Sequence, residues 1–161
     1  MKKGFTLIEL VIYMGILTIL LSVLSSIFTS ILDVQLQPTS TSSVNQDGRY
    51  LLSKLLYDVK SSSEILVPAN PGTVSSTMQV TINSINYTYS LNGGNLQIVN
   101  NNTNDTDVLN SYDTSISGLS FTRVGNGGSS DTVRVSYTVS SRATSRSGVE
   151  TKSFTTTLGT Q

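Results

Sequence analysis

The chain opens with Lys2-Lys3-Gly4-Phe5-Thr6-Leu7-Ile8-Glu9-Leu10-Val11, and this stretch runs without interruption into an apolar segment that ends at Leu32. Two cations are followed by a glycine, a phenylalanine and then one carboxylate inside the apolar run. Glu9 is the only residue between positions 5 and 32 that is charged at neutral pH. About 20 apolar residues are enough to cross a bilayer core as a helix. The sequence therefore predicts a membrane-spanning helix over residues 5–32.

The distribution of basic residues predicts the orientation of this helix. Lys2 and Lys3 lie on its short side, and no further Lys or Arg occurs before Arg49. Because positive charge stays on the cytoplasmic side, we expect a cytoplasmic N-terminus. Everything after Asp33 is then exported.

Residues 3–10 resemble the prepilin-type cleavage and methylation motif of the type IV pilin and type II secretion pseudopilin superfamily at nearly every position. The resemblance implies cleavage between Gly4 and Phe5 by a prepilin peptidase, with Lys2 and Lys3 as the basic residues of the leader. It also implies N-methylation of Phe5. Glu9 would be an assembly residue that selects the register in which helices stack inside a filament.

The burial of Glu9 gives this resemblance a physical basis. A charge near the middle of a spanning helix costs about 2.5–3.5 kcal/mol, less near the end, and usually has a partner. Cleavage after Gly4 would place an α-amine on Phe5, one helical turn from Glu9. Opposite unit charges 4 Å apart attract by about 4 kcal/mol at an effective dielectric constant of 20, which offsets the burial. The alternative is a Glu9 side chain that snorkels to the interface.

A secretory signal peptide is the main competing interpretation of the apolar run. A secretory signal peptide would have a shorter apolar core, about 7–15 residues, and a small-residue cleavage site. Ser25-Ser26 is the nearest small pair, but Ile27 and Phe28 continue the apolar run, so neither the length nor the cleavage site of a signal peptide fits. An uncleaved signal anchor remains the second alternative.

Composition limits the functions open to the rest of the chain. The 161 residues include ten Lys and Arg, ten Asp and Glu, and neither cysteine nor histidine. Beyond the anchor there is room for one small domain, which packing alone must stabilise, whereas many pilins carry a disulfide. Without histidine a Ser-His-Asp site cannot be built, and no phosphate-binding G-x-x-x-x-G-K-[ST] stretch occurs. We therefore expect a protein that is not an enzyme, with no catalytic residue, cofactor or metal.

The chain divides by pattern into a leader (residues 1–4), the spanning or filament-core helix (5–32), a kinked helical extension (33–60) and a β-rich body (61–161). Pro38 predicts a kink or break near Gln37. Ser43, with Gln46 three residues later, has the pattern of a capping box and predicts the start of a second helical segment.

This second segment is amphipathic. Six apolar residues fall within an arc of about 140°, with Gly48 among them. They are Val44, Leu51, Leu52, Leu55, Leu56 and Val59. The residues outside the arc are Arg49, Ser53, Lys54, Asp58 and Lys60. We expect the apolar face to pack on the protein's own sheet; a groove for a partner helix is the alternative.

Strand patterns dominate the body after a turn cluster at residues 68–72. Alternating apolar residues predict strands over 78–82, 85–91, 96–99, 119–122, 133–139 and 154–158. Asn92-Gly93-Gly94-Asn95 predicts a tight hairpin, and residues 125–130 form a connector. Sequential antiparallel strands with one face on a helix predict the α+β class: a long N-terminal helix packed on an antiparallel β-sheet.

This layout extends the resemblance into the body. Residues 49–59, the double-glycine hairpin and the strands at 118–121 and 133–139 are similar to minor subunits related to the J component of type II secretion and its pilus counterpart, W. The implied partners are prepilin peptidase, other pilin or pseudopilin subunits, the inner-membrane assembly platform and, before assembly, membrane lipid. The family's proline near the middle of the span is missing. A major pilin and a signal-anchored envelope binding protein are the alternatives.

Three other patterns are weak indications of a binding or modification site. Residues 100–107 are rich in oxygen ligands that calcium prefers, but the EF-hand spacing is absent, so a solvated loop is favoured. Basic residues outnumber acidic ones after position 122, yet few aromatic residues accompany them, so nucleic-acid contact is disfavoured, and charged strand faces and subunit contacts are the simpler explanation. These basic residues are Arg123, Arg134, Arg142, Arg146 and Lys152. Three glycosylation sequons, at Asn86, Asn101 and Asn104, arise by chance in so polar a chain.

Overall fold

The computed structural model describes the backbone of residues 6–124, 132–145 and 148–160, and their side chains except at positions 33, 35–38 and 145. One long helix is followed by strands that pair only in antiparallel fashion, which confirms the α+β class. The chain divides into two units, one ending at Pro38 and one beginning at Thr39. The predicted connector at residues 125–130 lies outside the described residues.

The helical part is a single element, α1 (Leu7–Ser61). Helical backbone continues through Gln37 and Pro38, so the predicted break is wrong, while the predicted kink stays a prediction. The capping box expected at Ser43 and Gln46 is also wrong, because both residues lie within the helix. A proline inside a helix removes one backbone donor, and α1 nevertheless continues for 23 residues beyond Pro38, to Ser61.

The strands form two sheets rather than the single sheet predicted. One has five strands in the order β1-β3-β4-β5-β6, and the other has four in the order β2-β7-β8-β9. The strands are β1 (Glu64–Val67), β2 (Val74–Ser75), β3 (Met78–Ile82), β4 (Ile85–Asn92), β5 (Asn95–Asn100), β6 (Thr106–Val108), β7 (Thr114–Arg123), β8 (Thr132–Ser145) and β9 (Gly148–Gly159). Every predicted strand is present, and β1, β2 and β6 were not predicted.

The hairpin between β4 and β5 was predicted correctly. Asn92 pairs with Asn95, and the two residues between them, Gly93 and Gly94, have φ angles of 57° and 78°. A two-residue turn with positive φ at both positions matches the twist of the flanking strands. Asn-Gly-Gly-Asn therefore sets the register of the whole β4–β5 pair.

The second half of α1 packs on the strands and forms the core, as predicted. Val44, Leu51, Leu55 and Val59 are completely buried in one cluster with residues of both sheets. The buried arc is nevertheless rotated by about 50° from the predicted apolar arc, away from Leu56. Leu56 remains 41% exposed, which corrects its assignment to the core.

The same rotation buries two carboxylates of α1, one of which, Asp58, was expected outside the packed face. Asp58 is 3% exposed; it accepts a hydrogen bond from the hydroxyl of Tyr89 and pairs with Lys54 at 2.9 Å. Asp47 is 9% exposed and accepts hydrogen bonds from Thr114 and Ser111. Buried carboxylates need such partners, so hydroxyl groups on the strands determine which side of the helix faces inward.

Arg123, expected among the basic residues of exposed strand faces, is buried. Its guanidinium Nη1 donates to the carbonyl oxygens of Ile65, Pro68 and Ala69 at 2.8–3.1 Å. The side chain thus joins β7 to the segment that contains β1. Arg123 is therefore not part of an exposed charged strand face, which corrects that part of the interpretation.

The outer face of the four-stranded sheet carries mainly hydroxyl groups. Inward-facing Val133, Val135 and Tyr137 are buried, and the residues between them point outward. Arg134 also lies in this outer face, opposite Thr122 and Thr157. The hydroxyl residues are Ser117, Ser120, Thr122, Ser136, Thr138, Thr151, Ser153, Thr155 and Thr157.

Candidate functional site

The start of α1 is organised by a reciprocal pair of polar residues. Thr6 precedes the helix, and its Oγ1 accepts a hydrogen bond from the backbone N–H of Glu9 at 3.4 Å. In return Glu9 Oε2 accepts from the backbone N–H and the hydroxyl of Thr6 at 3.5 and 3.4 Å. This is a capping box, in which each side chain satisfies a helix-terminal donor of the other residue.

The sequence interpretation assigned Glu9 a role but missed Thr6. The signal was present, because a Thr-x-x-Glu pattern directly before an apolar run is the usual mark of a helix start. The same pattern was instead applied to Ser43, where the structure has helix interior. The helix therefore begins at the site itself, and the carboxylate that the resemblance singles out also caps it.

Tyr13 is a further residue of this site that sequence reasoning missed. Its hydroxyl lies 3.5 Å from Glu9 Oε1, one helical turn further along α1. The spacing of four residues places both side chains on the same face of the helix. Both oxygens of Glu9 thus have a donor within its own chain, although all four contacts, at 3.4–3.5 Å, are long for hydrogen bonds.

The segment that follows Glu9 is exposed. Residues Leu7–Leu32 are long and apolar enough to cross a membrane. Their large apolar side chains are between 44% and 81% exposed, so this is not a packed core helix of a soluble protein. Four of its hydroxyl groups, those of Thr18, Ser22, Thr29 and Ser30, donate to helix carbonyl oxygens at 2.8–3.0 Å. These four groups are therefore satisfied within the helix, as a lipid environment requires.

The described part of the site is thus Thr6, Glu9 and Tyr13. The leader residues Lys2 and Lys3 and the two sides of the predicted cleavage point, Gly4 and Phe5, lie outside the described residues. Among the described residues, no group of three or more His, Cys, Asp or Glu side chains could hold a metal ion.

An exposed apolar helix with a carboxylate in its first turn, followed by a β-rich body, is the arrangement of pilin-like proteins. In agreement, residues 1–25 match the family model described as "Prokaryotic N-terminal methylation motif". The match and the apolar helix support a pilin-like or pseudopilin protein that is anchored in a membrane. The motif implies processing by prepilin peptidase and assembly with other pilin subunits, and its family is structural. No curated protein and no solved structure matches the chain.

Proposed function

We propose that this chain is a minor structural subunit of a type IV pilus or type II secretion pseudopilus, made as a membrane precursor. The observation that carries the proposal is the position of Glu9. It is a carboxylate in the first turn of an exposed helix of membrane-crossing length, within the residues that match the methylation motif. A charge at this place is expensive in lipid and needs a partner.

The partner that we propose is the α-amine of a processed Phe5. Prepilin peptidase cuts after Gly4, aided by Lys2 and Lys3 on the cytoplasmic side, and Phe5 is then methylated. The contacts of Glu9 within its own chain are all 3.4 Å or longer, so the carboxylate retains the capacity to accept a stronger, charge-assisted bond. An amine of a neighbouring subunit supplies such a bond and fixes the register between helices.

In this proposal the inner-membrane assembly platform moves the helix from lipid into the filament core, with the β-rich body outside. The similarity of the body to J- and W-type subunits favours a subunit that initiates or caps the filament over a major pilin. The alternatives are a major pilin and a signal-anchored envelope protein that binds a ligand through its body.

The test is quantitative mass spectrometry of filaments sheared from native cells. It reads the N-terminal peptide of this protein and its molar ratio to other pilin-like chains. Glu9→Ala should be cleaved normally but lost from filaments, whereas a Gly4 substitution should block cleavage. Glu64→Ala removes an exposed carboxylate on β1 and is the matched control, expected to assemble like wild type.

Each outcome separates the candidates. A methylated Phe5 N-terminus and a molar ratio far below one would support the minor subunit. A ratio that dominates the sample would instead indicate the major pilin. If the protein keeps residues 1–4, stays in the membrane and tolerates both variants, the anchored binding protein replaces the proposal.

A further inference from the structure

The five-stranded sheet is only partly covered by α1. Met78, Val80 and Tyr89 lie on its inner face and are completely buried under the helix. Tyr87 and Ile98 lie on the same face, since Tyr87 pairs with Val80 and Ile98 pairs with Tyr89, but they are only partly buried. A cleft of about 460 Å³ lies between this uncovered part and the helix.

The walls of this cleft are aromatic and aliphatic. Tyr50 of α1 and Tyr87 of β4 line it, together with Ile82, Ile98 and Val108. Tyr50 is 50% exposed and Val108 is 52% exposed, so apolar surface continues to the rim of the cleft. Exposed apolar surface beside a concave site is typical of a surface that contacts another protein.

The charges in the cleft do not balance. Lys54 and Asp58 line one side and neutralise each other as an ion pair. Asp107 of β6 lines the other side, and an adjoining recess of about 200 Å³ adds Asp105. Among the described residues neither Asp105 nor Asp107 forms an ion pair. Two carboxylates beside two tyrosine rings therefore give the cleft an uncompensated negative charge.

We propose that this cleft receives a Lys or Arg side chain from a neighbouring protein subunit. A cation is attracted both by the carboxylates and by the faces of aromatic rings. The long aliphatic stems of Lys and Arg fit apolar walls while their charged ends reach Asp107. The cleft is open along its rim, so the rest of the partner's surface would cover the exposed rings. The identification of the neighbour as a filament subunit rests on the proposed function. The identification of its side chain as Lys or Arg rests on the cleft alone.

The first test reverses the charge of the cleft. Asp107→Lys should lower the amount of this protein in sheared filaments by about tenfold, because like charges then meet at the contact. Asp113→Lys makes the same change at an exposed carboxylate that does not line the cleft and should leave incorporation unchanged. Membrane levels and N-terminal processing of both variants are measured together, and Asp107→Asn should give an intermediate loss. Equal incorporation of the two charge-reversal variants would overturn the proposal.

The second test identifies the partner side chain in whole cells. A photo-crosslinking phenylalanine analogue is placed at Tyr50, with the exposed Tyr112 outside the cleft as control. The crosslink from position 50 should map to a partner peptide that contains Lys or Arg. Changing that residue to Glu should restore incorporation of Asp107→Lys.

The outcomes separate the two proposals. A crosslinked peptide without a basic residue, or a failed restoration, would overturn the cleft assignment. The cleft assignment would also be overturned if Asp107→Lys were incorporated normally but the filaments lost binding to a carbohydrate-coated surface. Absence of the wild-type chain from filaments would overturn the proposed function instead. The cleft assignment would still be tested, because the crosslink is formed in whole cells and does not require filaments.

Discussion

At the scale of single residues, Asp47 shows how a carboxylate can orient a helix. Its Oδ2 accepts hydrogen bonds from the Ser111 backbone N–H at 2.9 Å, from the Ser111 hydroxyl at 2.7 Å and from the Thr114 hydroxyl. Thr114 is completely buried, whereas Ser111 is exposed and water can reach it. Loss of the carboxylate therefore leaves one buried donor, the Thr114 hydroxyl, without its main acceptor.

We expect Asp47→Ala to lower the free energy of unfolding by about 2 kcal/mol, the cost of an unsatisfied buried polar group. The measurement is denaturant unfolding of the full chain in detergent micelles, followed by circular dichroism. Asp113→Ala removes an exposed carboxylate and should change the same quantity by less than about 0.5 kcal/mol. Equal losses in the two variants would contradict the role of Asp47.

Two buried tyrosines make the body sensitive to alkali. Burial, and next the hydrogen bond to Asp58, raise the pKa of Tyr89 well above its usual value, and burial raises the pKa of Tyr137. Above about pH 10 the unfolded chain loses these protons and the folded chain keeps them. Since the unfolded state then binds fewer protons, the free energy of unfolding falls as the pH rises, by about 1.4 kcal/mol per pH unit for each tyrosine.

Tyr137→Phe isolates one of these two groups. Above pH 10, the unfolding free energy of this variant should fall less steeply with pH than that of wild type, by about 1.4 kcal/mol per pH unit. Unfolding of both proteins is measured at several pH values between neutrality and the alkaline range. Identical slopes would show that the Tyr137 proton is not retained by the folded state.

At the scale of elements, Gly48 determines how closely α1 approaches β9. A Cβ at this position would lie 2.0 Å from Cζ of Phe154, whose ring stacks on Tyr137. The Gly48 carbonyl accepts a hydrogen bond from the Tyr137 hydroxyl at 2.8 Å, so the helix cannot move away without losing it. The absence of a side chain is therefore a requirement of packing.

Gly48→Ala should destabilise the body by about 1–2 kcal/mol, because overpacking outweighs the better helix propensity of alanine. Ser53→Ala, on the exposed side of the same helix, should be neutral or slightly stabilising. The double variant Gly48→Ala with Phe154→Leu should lose less than the sum of the two single variants, since both act on one contact. If the losses in unfolding free energy of the two single variants are fully additive in the double variant, the proposed contact between positions 48 and 154 is wrong.

The sequence predicted the helix, the central strands and their hairpin, because these depend on local patterns. The sequence pattern misplaced the inner face of α1. Leu56 continues the apolar arc and was expected to be buried, whereas carboxylates such as Asp47 and Asp58 are usually exposed. Their burial depends on hydroxyl groups at Thr114 and Tyr89, far away in the chain, which no local pattern connects to the helix.

The division into two sheets was beyond prediction for a similar reason. Strand β7 pairs with β8 and β2, not with β6, which precedes it in the chain. Such a choice of neighbour depends on tertiary packing and not on alternation within a strand. At the candidate site, the resemblance of residues 3–10 to the prepilin motif gave Glu9 an assembly role, which stays a prediction. The contribution of Tyr13 appeared only when the helix brought the two side chains together.

At the scale of the whole molecule, the placement of Lys2 and Lys3 predicts which side of the membrane the body occupies. A reporter enzyme that folds only after export, fused after Gln161, should be active in cells that express the full chain. Replacing both lysines with serine and inserting two lysines after Asp33 should reduce the activity severalfold, because positive charge favours the cytoplasmic side. Inserting two serines at the same place is the control. Unchanged activity in the lysine variant would contradict the prediction that Lys2 and Lys3 determine the orientation of the membrane helix.

The hydroxyl face of the four-stranded sheet has a consequence for how such a protein can evolve. Its outward residues, among them Thr151, Ser153 and Thr155, alternate with the residues that build the core. Exchanges at exposed positions of this kind usually alter stability by less than about 0.5 kcal/mol. Many different sequences of the outer face are therefore compatible with one fold, because the residues that build the core are separate from those that water contacts.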